Sequence, residues 1–137
     1  MGLDNGVLVK STKRQLTRAD LPAGLLYPFE KDYGEGIEIA YWRKCWGLRN
    51  DIMNSFGWRF AAENTCNFEI SKPSDVLDFI EIIASWLDEE RWEEYGDSIW
   101  TYEEIHRNLV HSLINLGMMY AYMLTNPDVY LEFYDSY

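Results

Sequence analysis

The sequence is poor in the residues from which disulfide scaffolds and metal sites are built. It has two cysteines, Cys45 and Cys66, and two histidines among its 137 residues. So few cysteines favour reduced thiols in a cytosol over a disulfide framework. The histidines, His106 and His111, are five positions apart, so they do not share a helix face as an i, i+4 pair of ligands would. We therefore predict neither a disulfide nor a bound metal.

Long apolar runs and catalytic signatures are also missing. The longest apolar run, residues 116–124, has nine residues, whereas a membrane-spanning helix needs about 20. The first residues lack the basic-then-apolar order of a secretion signal, so we expect a cytosolic protein that does not bind a membrane. The sequence contains no G-x-S-x-G, no Gly-rich phosphate loop and no Cys-x-x-Cys. We predict no catalytic residue and no cofactor.

Positive charge is scarce in the second half of the chain. The formal net charge is −11. Residues 1–60 hold nine Lys and Arg against seven Asp and Glu, whereas residues 61–137 hold three against sixteen. Nucleic acid phosphates would be repelled by the acidic half. Direct binding to nucleic acid is therefore not expected, and a partner with a basic surface is the natural complement.

Apolar and aromatic residues are abundant, at 47% and 16% of the chain, and their periodicity predicts one α+β domain over residues 1–137. Period-two alternation and turn residues predict four short strands, over 6–11, 36–41, 66–71 and 128–135. Helical spacing predicts helices over 42–56, 72–87 and 101–124. Strands distributed among helices fit a mostly antiparallel sheet with the helices packed on it. Residues 20–36, rich in Pro and Gly, should form a loop.

Finer features follow from the same patterns. Ile37, Ile39 and Tyr41 should share one face of the second strand, and Ser71 should cap the second helix, with Pro73 in its first turn. Thr101 and Glu104 fit a capping box for the third helix, whose second half is apolar almost all round, as in a central buried helix. The stripe of the second helix comprises Val76, Phe79, Ile80, Ile83, Trp86 and Leu87, widened by Leu77 and Ile82.

Aromatic and basic residues are concentrated where the second strand becomes the first helix. This junction comprises Tyr41, Trp42, Arg43, Lys44, Trp46 and Arg49. One interpretation is a nucleotide site, with aromatics stacking on a base and cations holding phosphate. The other is structural: the tryptophans belong to the core, and the cations offset acidic residues of the same chain. We favour the structural interpretation.

A second concentration, the acidic segment, covers residues 88–104. Its acidic residues are Asp88, Glu89, Glu90, Glu93, Glu94, Asp97, Glu103 and Glu104, and Arg91 is its one cation. Its aromatic residues are Trp92, Tyr95, Trp100 and Tyr102. A run of charge is usually a solvated face, but aromatics among carboxylates are typical of binding hot spots. Such a surface can mimic the charge of a nucleic acid and enter a basic groove. The predicted partner site comprises Glu89, Glu90, Trp92, Glu93, Glu94, Tyr95, Asp97 and Trp100.

Two short motifs resemble a group of small uncharacterised phage and prophage proteins. These motifs are Met-Gly-Leu-Asp at residues 1–4 and Tyr-Trp-Arg-Lys at residues 41–44, and the likeness covers residues 1–87. The chain departs from the group's pattern at Cys45-Trp46 and Leu48-Arg49, and the group has no activity to transfer. The resemblance implies a phage origin, and small phage proteins often inhibit host defence.

The charge layout and the resemblance lead to one expected function and two alternatives. We expect a non-enzymatic inhibitor of a bacterial defence system that binds a host protein through the acidic segment. The first alternative is a protein that sequesters a small nucleotide signal at the strand–helix junction. The second is a small enzyme of unknown chemistry. The many aromatics also allow a homo-oligomer.

Overall fold

The described part of the chain contains four antiparallel strands in one sheet and three α-helices. The computed structural model describes residues 4–32, 34, 36–57, 67–87, 91 and 101–136. The strands are β1 (Asp4–Ser11), β2 (Ile37–Arg43), β3 (Phe68–Ile70) and β4 (Val129–Ser136). The helices are α1 (Trp46–Ile52), α2 (Pro73–Ser85) and α3 (Tyr102–Thr125). The predicted α+β class is confirmed.

The two strands nearest the chain ends lie at the centre of the sheet. The strand order is β2-β1-β4-β3, and every neighbouring pair is antiparallel. β1 and β4 pair over their whole length, from Asp4 opposite Ser136 to Ser11 opposite Val129. Since β2 and β3 were predicted from alternation alone, their place at the two edges is new information.

The helices cover one face of the sheet, here called the inner face. Side chains alternate along a strand, and Val129, Leu131 and Phe133 of β4 are buried while the residues between them are not. α3 packs on β2, and α2 packs on α3 and β3. The opposite, outer face carries no helix in the described ranges. It holds the polar residues of the central strands.

Contacts between aromatic rings join the sheet to the helices in the core. The ring centroids of Phe68 and Phe133 lie 4.9 Å apart, and those of Phe79 and Phe133 lie 6.2 Å apart. Phe56 stacks on Phe68 at 5.6 Å. Such pairs add about 0.5–1.5 kcal/mol beyond the area they bury. The aromatic content of the sequence therefore contributes directly to core packing between β3, β4 and α2.

A β-bulge in β2 changes the alternation that the sequence predicted. Val7 is opposite Ala40, but the next residue of β1, Leu8, is opposite Glu38, which leaves Ile39 as the extra residue. Because a bulge shifts the alternation by one position, Ala40 and Trp42 join Ile39 in the core. The prediction that Tyr41 shares a face with Ile37 and Ile39 is wrong.

The second strand also continues further than predicted. Arg43 is still in register with Asp4, so Trp42 and Arg43 belong to β2 and the helix begins only at Trp46. Lys44 has a φ of 54°, in the left-handed region that non-glycine residues seldom adopt. This residue makes the sharp change of direction between β2 and α1. A π-helical turn, Met53–Gly57, extends α1 and ends at the predicted glycine.

α2 begins without the side-chain cap that was predicted. Lys72, not Ser71, is the N-cap residue, and it makes no side-chain capping hydrogen bond, while Pro73 opens the helix. The predicted stripe packs on the core through Val76, Phe79, Ile83 and Trp86, which are buried, and Ile80 and Leu87, which are partly buried. Leu77 is 43% exposed, so it does not widen the stripe.

α3 has the predicted capping box but is not buried all round. Thr101 Oγ1 accepts a hydrogen bond from the Glu104 amide, and Thr101 N donates to the Glu104 carboxylate, both at 3.3 Å. Ile114 and Leu124 are 44% and 58% exposed, so part of the apolar surface of α3 faces solvent. No helix among the described residues is long and apolar enough to cross a membrane.

The long loop between β1 and β2 is held in place by α3. The buried Asn115 side chain donates to the carbonyls of Leu26 and Ile39 at 2.7 and 2.8 Å, and accepts from the Leu26 amide at 2.8 Å. Tyr122 donates to the Asp20 carbonyl at 2.8 Å. One buried amide thus joins the helix, the loop and the bulge of β2.

Candidate functional site

The strand–helix junction is divided between the two faces of the sheet. Tyr41 and Arg43 lie on the outer face, where both contact the carboxylate of Asp4: the Tyr41 hydroxyl donates to it at 3.0 Å and Arg43 Nε lies 3.2 Å away. Trp42 points to the inner face and its side chain is fully buried. Tyr41 and Trp42 therefore do not present their rings to the same ligand.

Arg49 is engaged inside the domain. Its Nη2 lies 2.7 Å from Oδ2 of Asp135, whose side chain is fully buried. The Asn5 side chain also donates to Asp135, at 2.7 Å. The Arg49 guanidinium lies 6.0 Å from the Trp46 ring centroid. This geometry fits the structural interpretation of the junction, in which the cations offset carboxylates of the same chain; its ligand-binding role stays a prediction.

The predicted partner site lies outside the described residues. The residues that lie outside are Glu89, Glu90, Trp92, Glu93, Glu94, Tyr95, Asp97 and Trp100, together with Asp88. Four members of the acidic segment besides Arg91 are described, residues 101–104, and they include Glu103 and Glu104. The two glutamates are exposed in the first turn of α3, where negative charge interacts favourably with the helix dipole.

Arg91 fixes one point of the acidic segment to the domain. Its guanidinium lies 3.7 Å from the centroid of the Trp86 ring. It also donates to Asp51 at 3.2 Å and to the Ser85 hydroxyl at 3.0 Å. Asp51 in turn accepts a hydrogen bond from Trp86 Nε1 at 2.7 Å. The one cation of the segment is therefore paired with a carboxylate of α1.

A cluster on the outer face was not predicted from the sequence. Tyr134 of β4 donates its hydroxyl to Glu38 of β2, and the two side chains meet over Gly6 of the central strand β1. A Cβ placed on Gly6 would lie 2.6 Å from both Glu38 Oε1 and the Tyr134 hydroxyl. The Glu38–Tyr134 pair thus packs directly against the backbone of Gly6.

The environment of the cluster shifts the pKa of its titratable groups. Desolvation raises the pKa of Glu38 to about 7, opposed by the hydrogen bond from Tyr134 and assisted by the nearby carboxylates Asp32 and Asp4. Desolvation also raises the pKa of Tyr41 to about 12, with the bond to Asp4 adding to the effect. Desolvation also raises the pKa of Tyr134, and its hydrogen bond to Glu38 adds to the effect. The pKa of Glu38 therefore lies near neutral pH.

One signal in the sequence could have located the cluster. A glycine inside a strand often marks a close approach of other groups, and Gly6 stands within the alternating residues 6–11. The partners of that approach could not be read, because Glu38 and Tyr134 are 96 residues apart and meet only through the register of three strands.

Metal binding finds no support among the described residues. They contain no group of three or more His, Cys, Asp or Glu side chains arranged to hold a metal ion. Cys45 is buried and its thiol donates to the Arg43 carbonyl at 3.4 Å, and the His106 ring packs 5.5 Å from that of Tyr102. Cys45 and His106 therefore both contact other residues of the domain.

Comparison with known proteins gives no family for this chain: no family model, curated protein or solved structure matches it. Inferences about function therefore depend on the charges and contacts described above.

Proposed function

We propose that this chain is a phage-type, non-enzymatic inhibitor of a bacterial defence system. It binds a host protein stoichiometrically, and the acidic segment is its working surface. The partner presents a basic groove of the kind that accepts nucleic acid, which the carboxylates of the segment mimic.

The observation that carries this proposal is the internal use of the cations. Arg43 pairs with Asp4, Arg49 with Asp135, and Lys10 with Glu132 at 3.2 Å. Two of these carboxylates, Asp135 and Glu132, belong to residues 61–137, yet the other 14 Asp and Glu of that half still outnumber its three Lys and Arg. A surface with one predominant sign of charge steers a partner of opposite charge to it.

The contacts of Arg91 add to this support. Asp51 and the Trp86 ring hold its guanidinium, so this cation is engaged by residues outside the segment. The same contacts tie the segment to α1 and α2. An anchored acidic loop loses less conformational entropy on binding than a free one.

Charge reversal with a matched control tests the proposal. The test variant changes Glu89, Glu90, Glu93 and Glu94 to Lys. The control variant changes four exposed carboxylates elsewhere to Lys, namely Glu30, Glu69, Asp78 and Glu81. Both variants alter the net charge equally, so only the position of the change differs.

The readout is phage plating on a host that carries the defence system, with circular dichroism of each purified variant. We expect the test variant to be folded but no longer to protect the phage from the defence system. The control variant should still protect it. Full protection by a folded test variant would refute the acidic segment as the working surface.

A further inference from the structure

A second feature of the outer face is a polar cavity at the far end of β1. It has a volume of about 260 Å³ and is lined by Lys10, Ser11, Arg14, Gln15 and Tyr130. Two cations, a hydroxyl, an amide and a phenol ring converge there. The chain has a net charge of −11, so a cavity lined by two cations is opposite in charge to the protein as a whole and favours an anionic ligand.

The backbone around the cavity is fixed at both ends. Thr12 N donates to the Asp128 carbonyl at 2.9 Å, and the Ser11 hydroxyl donates to the Asp128 carboxylate at 2.7 Å. Leu16 is buried in the core just beyond the cavity residues. Arg14 and Gln15 are therefore carried by a short segment between two anchors, which lowers the entropic cost of binding.

The two cations differ in how they are held. Lys10 Nζ lies 3.2 Å from each Glu132 oxygen and is mostly buried, so its position is set by β4. The Arg14 side chain is 60% exposed, and its Nη2 lies 3.6 Å from Asp20 Oδ1. A contact this long is not a hydrogen bond. Arg14 can turn towards an anion at little cost.

Asp20 does not depend on Arg14. Its other oxygen, Oδ2, accepts from Thr17 N at 2.7 Å and from the Thr17 hydroxyl at 3.1 Å. These bonds lower the pKa of Asp20 and hold its carboxylate at the start of the short helical turn Arg18–Asp20. Movement of Arg14 therefore leaves the turn intact.

We propose that this cavity binds a small phosphate ester that carries a ring, with a nucleoside monophosphate as the fitting class. Arg14 forms paired hydrogen bonds with phosphate oxygens, Lys10 and the Gln15 amide add donors, and the Tyr130 ring stacks on the base. Ligand cavities usually measure about 300–1,000 Å³, so a volume of about 260 Å³ selects a mononucleotide over a dinucleotide or polymer. The site does not rest on the inhibitor function proposed above.

Calorimetric titration of the full chain with orthophosphate and with AMP tests the proposal. Arg14→Gln removes the mobile cation, and Arg107→Gln removes an exposed cation from α3 as the matched control. We expect saturable AMP binding that weakens about tenfold or more in Arg14→Gln, since a hydrogen bond to a charged group is worth that much, and that Arg107→Gln leaves unchanged. Tyr130→Leu should weaken binding of AMP but not of orthophosphate.

Amide chemical shifts of the unmodified protein locate the ligand without any variant. AMP should shift the amides of residues 10–15 and 130. The proposal is overturned if neither probe binds saturably, if the shifts fall elsewhere, or if the two Gln variants lose affinity equally. It is also overturned if AMP binds no more tightly than orthophosphate.

Discussion

Tyr134 donates its hydroxyl to Glu38 across Gly6, and so joins β4 to β2 over the strand that separates them. β2 is an edge strand and has no backbone pairing with β4. The side-chain bond therefore spans three strands on the face that the described helices leave uncovered. Its partners come from distant parts of the chain, and the space for it exists only because residue 6 has no side chain.

Gly6→Ala should destabilise the fold through this pair. The new methyl group would lie 2.6 Å from the Tyr134 ring and hydroxyl, so the pair must move, at a cost of about 1–3 kcal/mol, as for other overpacked sites. In a Tyr134→Ala background the same substitution should cost less, because its main obstacle is gone. Urea unfolding of the four proteins measures both costs. Equal costs in the two backgrounds would show that the ring is not the obstacle.

Glu38→Gln should change how stability depends on pH. The pKa of Glu38 is about 7 in the native state against an ordinary 4.5, so between these values the native chain keeps a proton that the unfolded chain has lost. The contribution of Glu38 to the free energy of unfolding is therefore fully present below pH 4.5 and is lost as pH rises through about 7. The amide keeps a hydrogen-bond acceptor for Tyr134 but does not titrate.

Melting temperatures measured across this pH range test the assignment. The wild-type protein should lose melting temperature relative to Glu38→Gln as pH rises, and Glu69→Gln, at an exposed position, is the control for the loss of one carboxylate. Parallel curves for wild type and Glu38→Gln would mean that the Glu38 carboxyl group titrates normally.

Local patterns predicted the elements better than the contacts between them. The capping box of Thr101 and Glu104 needs only residues three apart, and it is present. The alternation of β4 is also present, because one face of that strand is buried along its length. The bulge at Ile39 was not foreseeable, since it depends on how β2 aligns with β1. The same holds for the Glu38–Tyr134 pair.

The strand–helix junction illustrates the same limit. Its composition predicted either a ligand site or internal charge compensation, and sequence could not decide which face each side chain occupies. Register places Trp42 opposite Asn5, on the inner face, and Arg43 opposite Asp4. The cations reach carboxylates near the two ends of the chain, Asp4 and Asp135, that no local pattern connects with them.

The two arginines of the junction should contribute very unequally to stability. Arg49→Met leaves the fully buried Asp135 carboxylate without its charge partner, which costs about 3–5 kcal/mol. Arg43→Met is the control, because Arg43 and Asp4 are each 40% exposed and such pairs contribute about 0–1 kcal/mol. Denaturant unfolding measures both. Adding Asp135→Asn to Arg49→Met should recover part of the loss, and no recovery would argue against an uncompensated charge as its cause.

The proposed inhibitor surface makes separate predictions for association and dissociation rates. If the carboxylates of the acidic segment enter a basic groove, the association rate should fall steeply as ionic strength rises towards about 0.15 M, where the Debye length is about 8 Å. Dissociation should depend far less on salt, because contacts within a formed complex are screened less than a long-range encounter.

Trp92→Ala should change mainly the dissociation rate. An aromatic anchor buried in an interface holds the complex once it has formed, so its loss should mainly speed dissociation. Phe29→Ala is the control, since Phe29 is an exposed aromatic on the long loop, outside the segment, and its loss should leave both rates unchanged. Surface plasmon resonance against the captured host protein, run over a series of salt concentrations, separates the two effects. An association rate that does not respond to salt, together with unchanged dissociation of Trp92→Ala, would contradict binding through this segment.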